Sequence, residues 1–329
     1  MERFKAYRVF SENGRTEGRI VELKLDDLSP GEVVFRTAYS SVNYKDALAA
    51  TGSGGRVIRK YPLVAGIDAA GTVVASSDAR FKPGDEVICT SYDMGVAHDG
   101  GYAGCCRVPA QWVVPLPAGL TLHEAMALGT AGYTAALAIC LLEQNDLKPR
   151  NGKVLINGAT GGVATLAIDM LAGLGYAITA VTGKDGEHEF LKRLGAAEVL
   201  ARKDIDPGSR PLEKALWAAA FDSVGGEQLA WLTRTMQPEG VIASFGNAGG
   251  IELKTTVLPF ILRGVRLIGV NSASTPMDLR TRIWARLASD LKPRHLSDIA
   301  FTITLEQLPE QFDRLLKGVG RGRAVVKIT

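Results

Sequence analysis

Hydrophobic positions along this chain change rhythm three times. From the start to about residue 120 they come in short or alternating runs: Ala6–Phe10, Val33–Ala38, Gly71–Ala75, Glu86–Thr90 and Trp112–Pro115. Turn signals such as Ser29-Pro30-Gly31 and Lys82-Pro83-Gly84-Asp85 separate them, so this stretch predicts short strands. From His123 to Leu142 the sequence is Ala-rich and apolar every three or four positions, which predicts a long helix. From Lys153 onward two patterns alternate. Strand-like runs fall at 153–157, 177–182, 198–201, 220–224, 241–245 and 266–270, and helix-like runs at 163–174, 185–194, 226–236 and 256–263. Six strands in that alternation imply a parallel sheet covered on both faces. After about residue 272 come a helix, Met277 to Leu291, and a strand–helix–strand tail: Ala300–Leu305, Glu306–Lys317 and Arg323–Ile328. The tail matches the texture of the first stretch, so the C-terminus is expected to fold back onto it. The expected fold class is α/β. A doubly wound parallel-sheet domain of the Rossmann type spans 124–272, and a β-rich domain combines 1–123 with 273–329.

Composition narrows the picture a little. The 329 residues carry 38 basic and 35 acidic side chains, a net charge of +3, so no global attraction for nucleic acid or a membrane surface is expected. No apolar run is expected to cross a bilayer. The opening Met-Glu-Arg-Phe-Lys has no apolar core behind its charges and predicts no signal peptide. Cys89, Cys105, Cys106 and Cys140 form no spaced framework, which points to reduced thiols in a cytoplasmic protein.

The chemistry starts at Lys153-Val-Leu-Ile-Asn-Gly-Ala-Thr-Gly-Gly-Val-Ala-Thr165. A short apolar run, the glycines Gly158, Gly161 and Gly162, and a helical pattern up to Leu174 follow one another, with Gly175 as a stop signal. Strand, glycine turn and helix make the first half of a dinucleotide-binding unit. The glycines let backbone N–H groups approach a pyrophosphate, and the helix N-terminus faces its charge. Any α/β protein can carry a Gly-rich turn; the strand before and the helix after favour the nucleotide reading. Thr160, Gly161, Gly162 and Val163 are the candidate pyrophosphate contacts.

In such units an acid at the tip of the second strand holds the ribose 2′-hydroxyl of NAD. Here the strand ends Ala180-Val181-Thr182-Gly183-Lys184, with no acid at the tip. A hydroxyl, a glycine and a cation suit the 2′-phosphate of NADP instead. Arg202, just past the third strand, is a second candidate cation that could also lie flat on the adenine. Asp185 and Glu187 lie close by and are expected to point away along the next helix.

The arrangement resembles the medium-chain dehydrogenase/reductases over essentially the whole chain. The motifs are Ser40-Ser41-Val42-Asn43-Tyr44-Lys45-Asp46, Ala65-Gly66-Ile67-Asp68-Ala69-Ala70-Gly71-Thr72-Val73, Phe81-Lys82-Pro83-Gly84-Asp85-Glu86-Val87, Gly129-Thr130-Ala131-Gly132-Tyr133-Thr134-Ala135 and the glycine turn. The resemblance implies a GroES-like catalytic domain and a Rossmann domain, with the site in the cleft between them. Within that superfamily the chain is similar to acrylyl-CoA reductases (NADPH) and quinone oxidoreductases. The marks are Asn43-Tyr44-Lys45-Asp46-Ala47-Leu48, Val57-Ile58-Arg59-Lys60-Tyr61-Pro62, Thr182-Gly183-Lys184, Ser209-Arg210-Pro211-Leu212-Glu213-Lys214 and Leu258-Pro259-Phe260-Ile261-Leu262-Arg263-Gly264-Val265.

No metal is expected. Zinc-dependent members of the superfamily carry a Cys at or beside the place of Tyr44 and His-Glu where this chain has Ile67-Asp68. Neither Tyr44 nor Ile67 is a good zinc ligand. No Cys or His occurs between Glu124 and Thr134, and the structural lobe of four cysteines is missing. Without a Lewis acid, polarising a ketone becomes hard, while reduction of an activated C=C bond stays feasible because the cofactor supplies the hydride.

The expected cofactor is therefore NADPH, and the expected reaction is reduction of an enoyl thioester such as acryloyl-CoA to propanoyl-CoA. Hydride would add to the β-carbon, an enolate would develop on the thioester oxygen, and a proton would reach the α-carbon. Asn43 and Tyr44 are the candidates for positioning or proton supply, with Tyr44 equally readable as packing against the nicotinamide; Asp46 reads as an anchor. Asn247 and Ser272, in loops after the fifth and sixth strands, are expected to flank the nicotinamide. By resemblance Tyr44, Ile261 and the turn near Gly318 line the cofactor too. The basic cluster Arg56, Arg59 and Lys60 reads first as a solvated loop and second as a landing place for a phosphorylated substrate arm, with Arg263 as a further cation. His98, a lone loop histidine, is given no role. A homodimer through the strand Arg266 to Val270 is expected. Two other readings stay open: a quinone or general enone reductase on the same fold, and an NADPH-binding protein with little turnover.

Overall fold

The computed structural model describes residues 3–53, 55 and 57–329. The chain divides into two compact units: 1–131 with 272–288 and 296–329, and 132–271 with 289–295. The division falls between 131 and 132, within the helix Leu122–Gln144, where the sequence placed it between 123 and 124. Residues 289–295 join the second unit because Asp169, buried on the helix Gly162–Gly173, accepts the His295 backbone N–H at 2.7 Å and faces Arg294 Nε at 3.4 Å.

The first unit is a β-fold. One sheet runs in the order Ala300–Ile303, Arg323–Lys327, Val33–Ser41, Asp68–Ser76, Glu86–Thr90, Val113–Pro115, with Cys105–Val108 also paired to Val33–Ser41. The tail strand Arg323–Lys327 is antiparallel to Val33–Ser41, with Val325 opposite Ser41. The C-terminus therefore completes this sheet. A smaller sheet holds Arg15–Leu23, Phe4–Glu12 and Leu63–Val64. Beneath the helices Tyr44–Thr51 and Leu308–Leu316 lies a core that includes Tyr7, Val42, Ile58, Phe312 and Val326.

The second unit is a doubly wound sheet of six parallel strands: Glu198–Ala201, Ile178–Thr182, Val154–Ile156, Trp217–Asp222, Met236–Ser244 and Arg266–Gly269, in that spatial order. Every residue of Val154–Ile156, Ile178–Thr182 and Trp217–Asp222 is buried. A strand covered on both faces has no polar side to alternate with, which is why these segments read as continuous apolar runs. The order reverses at Val154–Ile156, so the glycine turn leaves the sheet at its switch point, where such folds bind ligands.

The helix Leu122–Gln144 corrects one expectation. It is long and apolar enough by composition to cross a membrane, yet 83% of its most apolar window is buried inside the fold. It also breaks at Gly129, whose φ of 50° and ψ of −153° are non-helical. Its apolarity is that of a core helix.

Candidate functional site

In the second unit the strand ends are tied together before any ligand is considered. Val154–Ile156 closes on Asn157, whose amide donates to Asp222 Oδ1 at 2.7 Å and accepts the Ser223 backbone N–H at 2.8 Å. Asp222 also takes the backbone N–H groups of Val224 and Gly225 and the hydroxyl of Ser244. Three neighbouring parallel strands are thus pinned at their carboxyl ends, and the turns that follow are aimed by that knot. Sequence reading passed over Asn157 and Asp222. The available signal was a polar residue closing each apolar run.

The glycine turn then has a defined shape. Gly158 has φ +57°, and a Cβ there would come within 2.3 Å of Ser223 Oγ. Gly161 donates its N–H to Gly158 O at 2.8 Å and caps the helix Gly162–Gly173 with no side-chain cap of its own. Thr165 Oγ1 turns back to Gly161 O at 3.0 Å, so it does not close the entrance. The N–H groups of Gly162 and Val163 belong to the first helical turn and have no intrahelical acceptor. Thr160 is buried behind the turn, Gly161 is exposed, and Gly162 and Val163 are half-buried. Ala164 is 1% exposed, so the last place of the turn is a packing position. The geometry fits a pyrophosphate.

At the end of Ile178–Thr182, Thr182 Oγ1 accepts the Lys184 backbone N–H at 3.1 Å. A Cβ on Gly183 would stand 2.9 Å from Arg202 Nη2, so the guanidinium passes over the glycine. A hollow of about 160 Å³ is lined by Gly183, Asp185, Ala201, Arg202 and Lys203. Lys203 was not among the expected residues. Asp185, expected to point away, lines this hollow: Lys203 Nζ donates to its Oδ2 at 2.8 Å. That hydrogen bond holds the Asp185 carboxyl below its usual range and the Lys203 ammonium above its own. Asn247 is exposed in the loop after Met236–Ser244, where its carbonyl accepts the Gly250 N–H at 3.1 Å. Ile261 is 67% exposed on the short helix Leu258–Arg263. Arg263 is not a free cation: its guanidinium donates to the backbone carbonyls of Arg234, Met236 and Glu213.

In the first unit Asn43 precedes the helix Tyr44–Thr51. Its backbone N–H donates to Asp46 Oδ2 at 2.8 Å, and Asp46 Oδ1 takes the Ile67 N–H at 2.9 Å. Asp46 is therefore an anchor between the two motifs. Burial, then the neighbouring Asp68, pushes its pKa up to about 7. The Asn43 amide is occupied at both ends: Nδ2 donates to Asp68 Oδ2 at 2.7 Å and Oδ1 accepts from Arg323 Nη1 at 3.1 Å. Asp68 further accepts from Ser41 Oγ at 2.6 Å, the Thr130 N–H at 2.9 Å and Thr130 Oγ1 at 2.5 Å. Arg323 donates to Ser41 Oγ, Val42 O and Ala127 O. Gly129 breaks its helix beside this knot, where a Cβ would lie 2.5 Å from Asp68 Oδ2 and 2.7 Å from Arg323 Nη2. Tyr44, the first residue of the helix Tyr44–Thr51, has 43% of its surface exposed.

Ser272 offers its carbonyl to Arg280 Nη2 at 3.0 Å, and Gly318, with φ +68°, turns the chain after Leu308–Leu316. Arg59 pairs with Asp93 at 3.3 Å on the surface; Arg56 lies outside the described residues. His98 is buried, with Nε2 2.9 Å from Pro30 O and Nδ1 3.1 Å from Asp99 O, so it joins two loops.

Two family models match the chain: the alcohol dehydrogenase GroES-like domain over residues 29–118 and the zinc-binding dehydrogenase over 162–289. Acrylyl-CoA reductase AcuI of Ruegeria pomeroyi is 46% identical over 318 residues, 96% of each chain. YhfP of Bacillus subtilis, provisionally named a quinone oxidoreductase, is 48% identical over 308 residues, 93% of each chain. Its crystal structure with NAD bound superposes with a TM-score of 0.96, covering 99% of this chain and 100% of that one. The yhdH oxidoreductase of Salmonella enterica, in complex with NADP, has a TM-score of 0.96 at 44% identity, with 99% and 100% covered. The chain belongs to the medium-chain dehydrogenase/reductase superfamily, in the branch that holds AcuI and YhfP.

The zinc in the second model's name finds no matching donor set here. Among the described residues no group of three or more His, Cys, Asp or Glu side chains gathers to hold a metal ion. Asp68, one residue past Ile67, is fully engaged by the knot above. Cys89, Cys105 and Cys106 are buried free thiols, and burial pushes all three pKa values up, which keeps them in the poorly ligating protonated form.

Proposed function

We propose that this protein is an NADPH-dependent reductase of activated carbon–carbon double bonds, acting on acryloyl-CoA or a similar small enoyl thioester to give the saturated thioester. One observation carries the reading: cationic Arg202 and Lys203 border the hollow that Gly183 opens at the tip of the second strand. The relation to AcuI supports the substrate class. When bound, NADPH supplies a hydride, and an electron-poor alkene can accept it without a metal. The protein's own part is to bind, orient and deliver a proton. The backbone N–H groups of Gly162 and Val163, with Thr160 and Gly161 shaping the turn before them, hold the pyrophosphate. Thr182, Gly183, Lys184 and Arg202 hold the 2′-phosphate. Asn247, Ile261, Ser272 and Gly318 line the remainder of the cofactor site. Asn43, fixed at both amide ends, positions the start of its helix, and the exposed Tyr44 hydroxyl orients the substrate and supplies the α-carbon proton.

The four cysteines are free thiols, in keeping with a reducing cytoplasm. Arg266–Gly269 is the last strand of its sheet, and Val257, Ile261 and Leu262 nearby in sequence are 65%, 67% and 63% exposed. That edge suits a homodimer. The test is NADPH oxidation across acryloyl-CoA, simple enones and benzoquinone. Highest kcat/KM with the thioester is the expected result. Preference for the quinone would support the second reading, favoured by the relation to YhfP. Binding without turnover on any of them would make the chain a cofactor-binding protein.

A further inference from the structure

Asp185 and Lys203 belong to two different strand ends, yet both line the hollow closed by Gly183 and Arg202. Asp185 follows Thr182 by three residues, at the exit of the strand whose tip carries the ribose-binding acid in NAD-selective units. Left alone, its carboxylate would favour a ribose hydroxyl and repel a phosphate dianion. It is not left alone: Lys203 Nζ holds it at 2.8 Å. Counting formal charges on the lining, Arg202 and Lys203 against Asp185 leave one net positive charge, and without Lys203 the sum is zero.

We propose that Lys203 is the specificity-determining residue of this site, acting by masking Asp185. The ion pair removes a carboxylate that would otherwise select the unphosphorylated cofactor, and so makes the hollow an acceptor for a 2′-phosphate. The inference rests on the reading that a phosphorylated adenosine binds here. It goes beyond that reading by naming a pair that decides between NADPH and NADH. One relative of this fold holds NADP in its crystal and another holds NAD. Side-chain exposures of 68% for Lys203 and 63% for Asp185 mean that either can be replaced without opening a core.

Calorimetric titration of the full chain with 2′,5′-ADP and 5′-AMP, and with NADPH and NADH, tests this without relying on turnover. Lys203→Met is expected to weaken 2′,5′-ADP and NADPH about ten-fold, while 5′-AMP and NADH stay within about two-fold. Asp185→Asn alone is expected to leave 2′,5′-ADP at least as tight as in the parent. In the double variant, binding of 2′,5′-ADP should return to within about three-fold of the parent, because no carboxylate remains to be masked. An equal loss from Lys203→Met with and without Asp185 would overturn masking, and so would equal changes for phosphorylated and unphosphorylated probes. A parent protein that binds 2′,5′-ADP no tighter than 5′-AMP would instead sink the cofactor reading beneath it.

Discussion

Arg323 Nη2 lies 3.8 Å from Asp68 Oδ2, and both side chains are at most 3% exposed. A buried pair of this kind is neutral only while both members and their hydrogen bonds are present. Arg323→Met would leave Asp68 as an uncompensated buried charge and free one end of the Asn43 amide. The expected loss of stability is about 3–5 kcal/mol, read from denaturant midpoints. Arg323→Lys should recover only part of it, because a single ammonium cannot reach Ser41, Val42, Asn43 and Ala127 together.

Tyr44 divides binding from chemistry. Its hydroxyl is assigned proton supply, so Tyr44→Phe should lower kcat with acryloyl-CoA about 100-fold. The dissociation constant for NADPH should stay within about two-fold, since the ring is kept. An unchanged kcat beside an unchanged NADPH constant would make the ring a packing surface only.

The protonation of Asp46 should be visible in stability. Its folded pKa of about 7 stands above the ordinary 3.8, so the folded state keeps a proton that the unfolded state gives up. The contribution of this group is therefore greatest below about pH 4 and is lost as pH rises toward 7, at up to about 1.4 kcal/mol per pH unit. Asp46→Asn removes the titration. The stability difference between parent and variant should slope across that window and be flat above it. A difference that stays constant from pH 4 to 8 would show that Asp46 is ionised throughout.

Chelation should leave activity intact. No metal-holding group gathers among the described residues, and Asp68 is already engaged by Ser41, Asn43 and Thr130. Dialysis against a strong zinc chelator is expected to change kcat/KM by less than about two-fold. Loss of activity that returns with zinc would contradict this.

Much of this was readable before any coordinates, and the reasons are local. Val154–Ile156 and its neighbours are covered on both faces, so their apolar runs announce them. The glycine turn is contiguous, and each of its parts sits next to the part it needs. Arg15–Leu23 escaped notice because most of its surface faces water and its polar residues break the pattern. The helix Tyr44–Thr51 escaped because it is short and its start is set by Asn43 and Asp46, which were read as a site residue and an anchor and not as a helix start. Pairings across the fold were out of reach for a physical reason: nothing in the sequence says that Lys203 turns to Asp185 or that Arg323 reaches Asp68. Arg263 looked like a free cation for the same reason, since only the folded chain shows the carbonyls that occupy it.

The knot around Asp68 also imposes an order on synthesis. The carboxylate emerges from the ribosome early, while the guanidinium that balances it arrives only with the strand Arg323–Lys327. Until then the early sheet holds an acid with no counter-ion and an open edge beside Val33–Ser41. The six-stranded unit, encoded almost wholly in between, can close first. A nascent chain stalled before Arg323 would expose an unfinished sheet to chaperones and proteases.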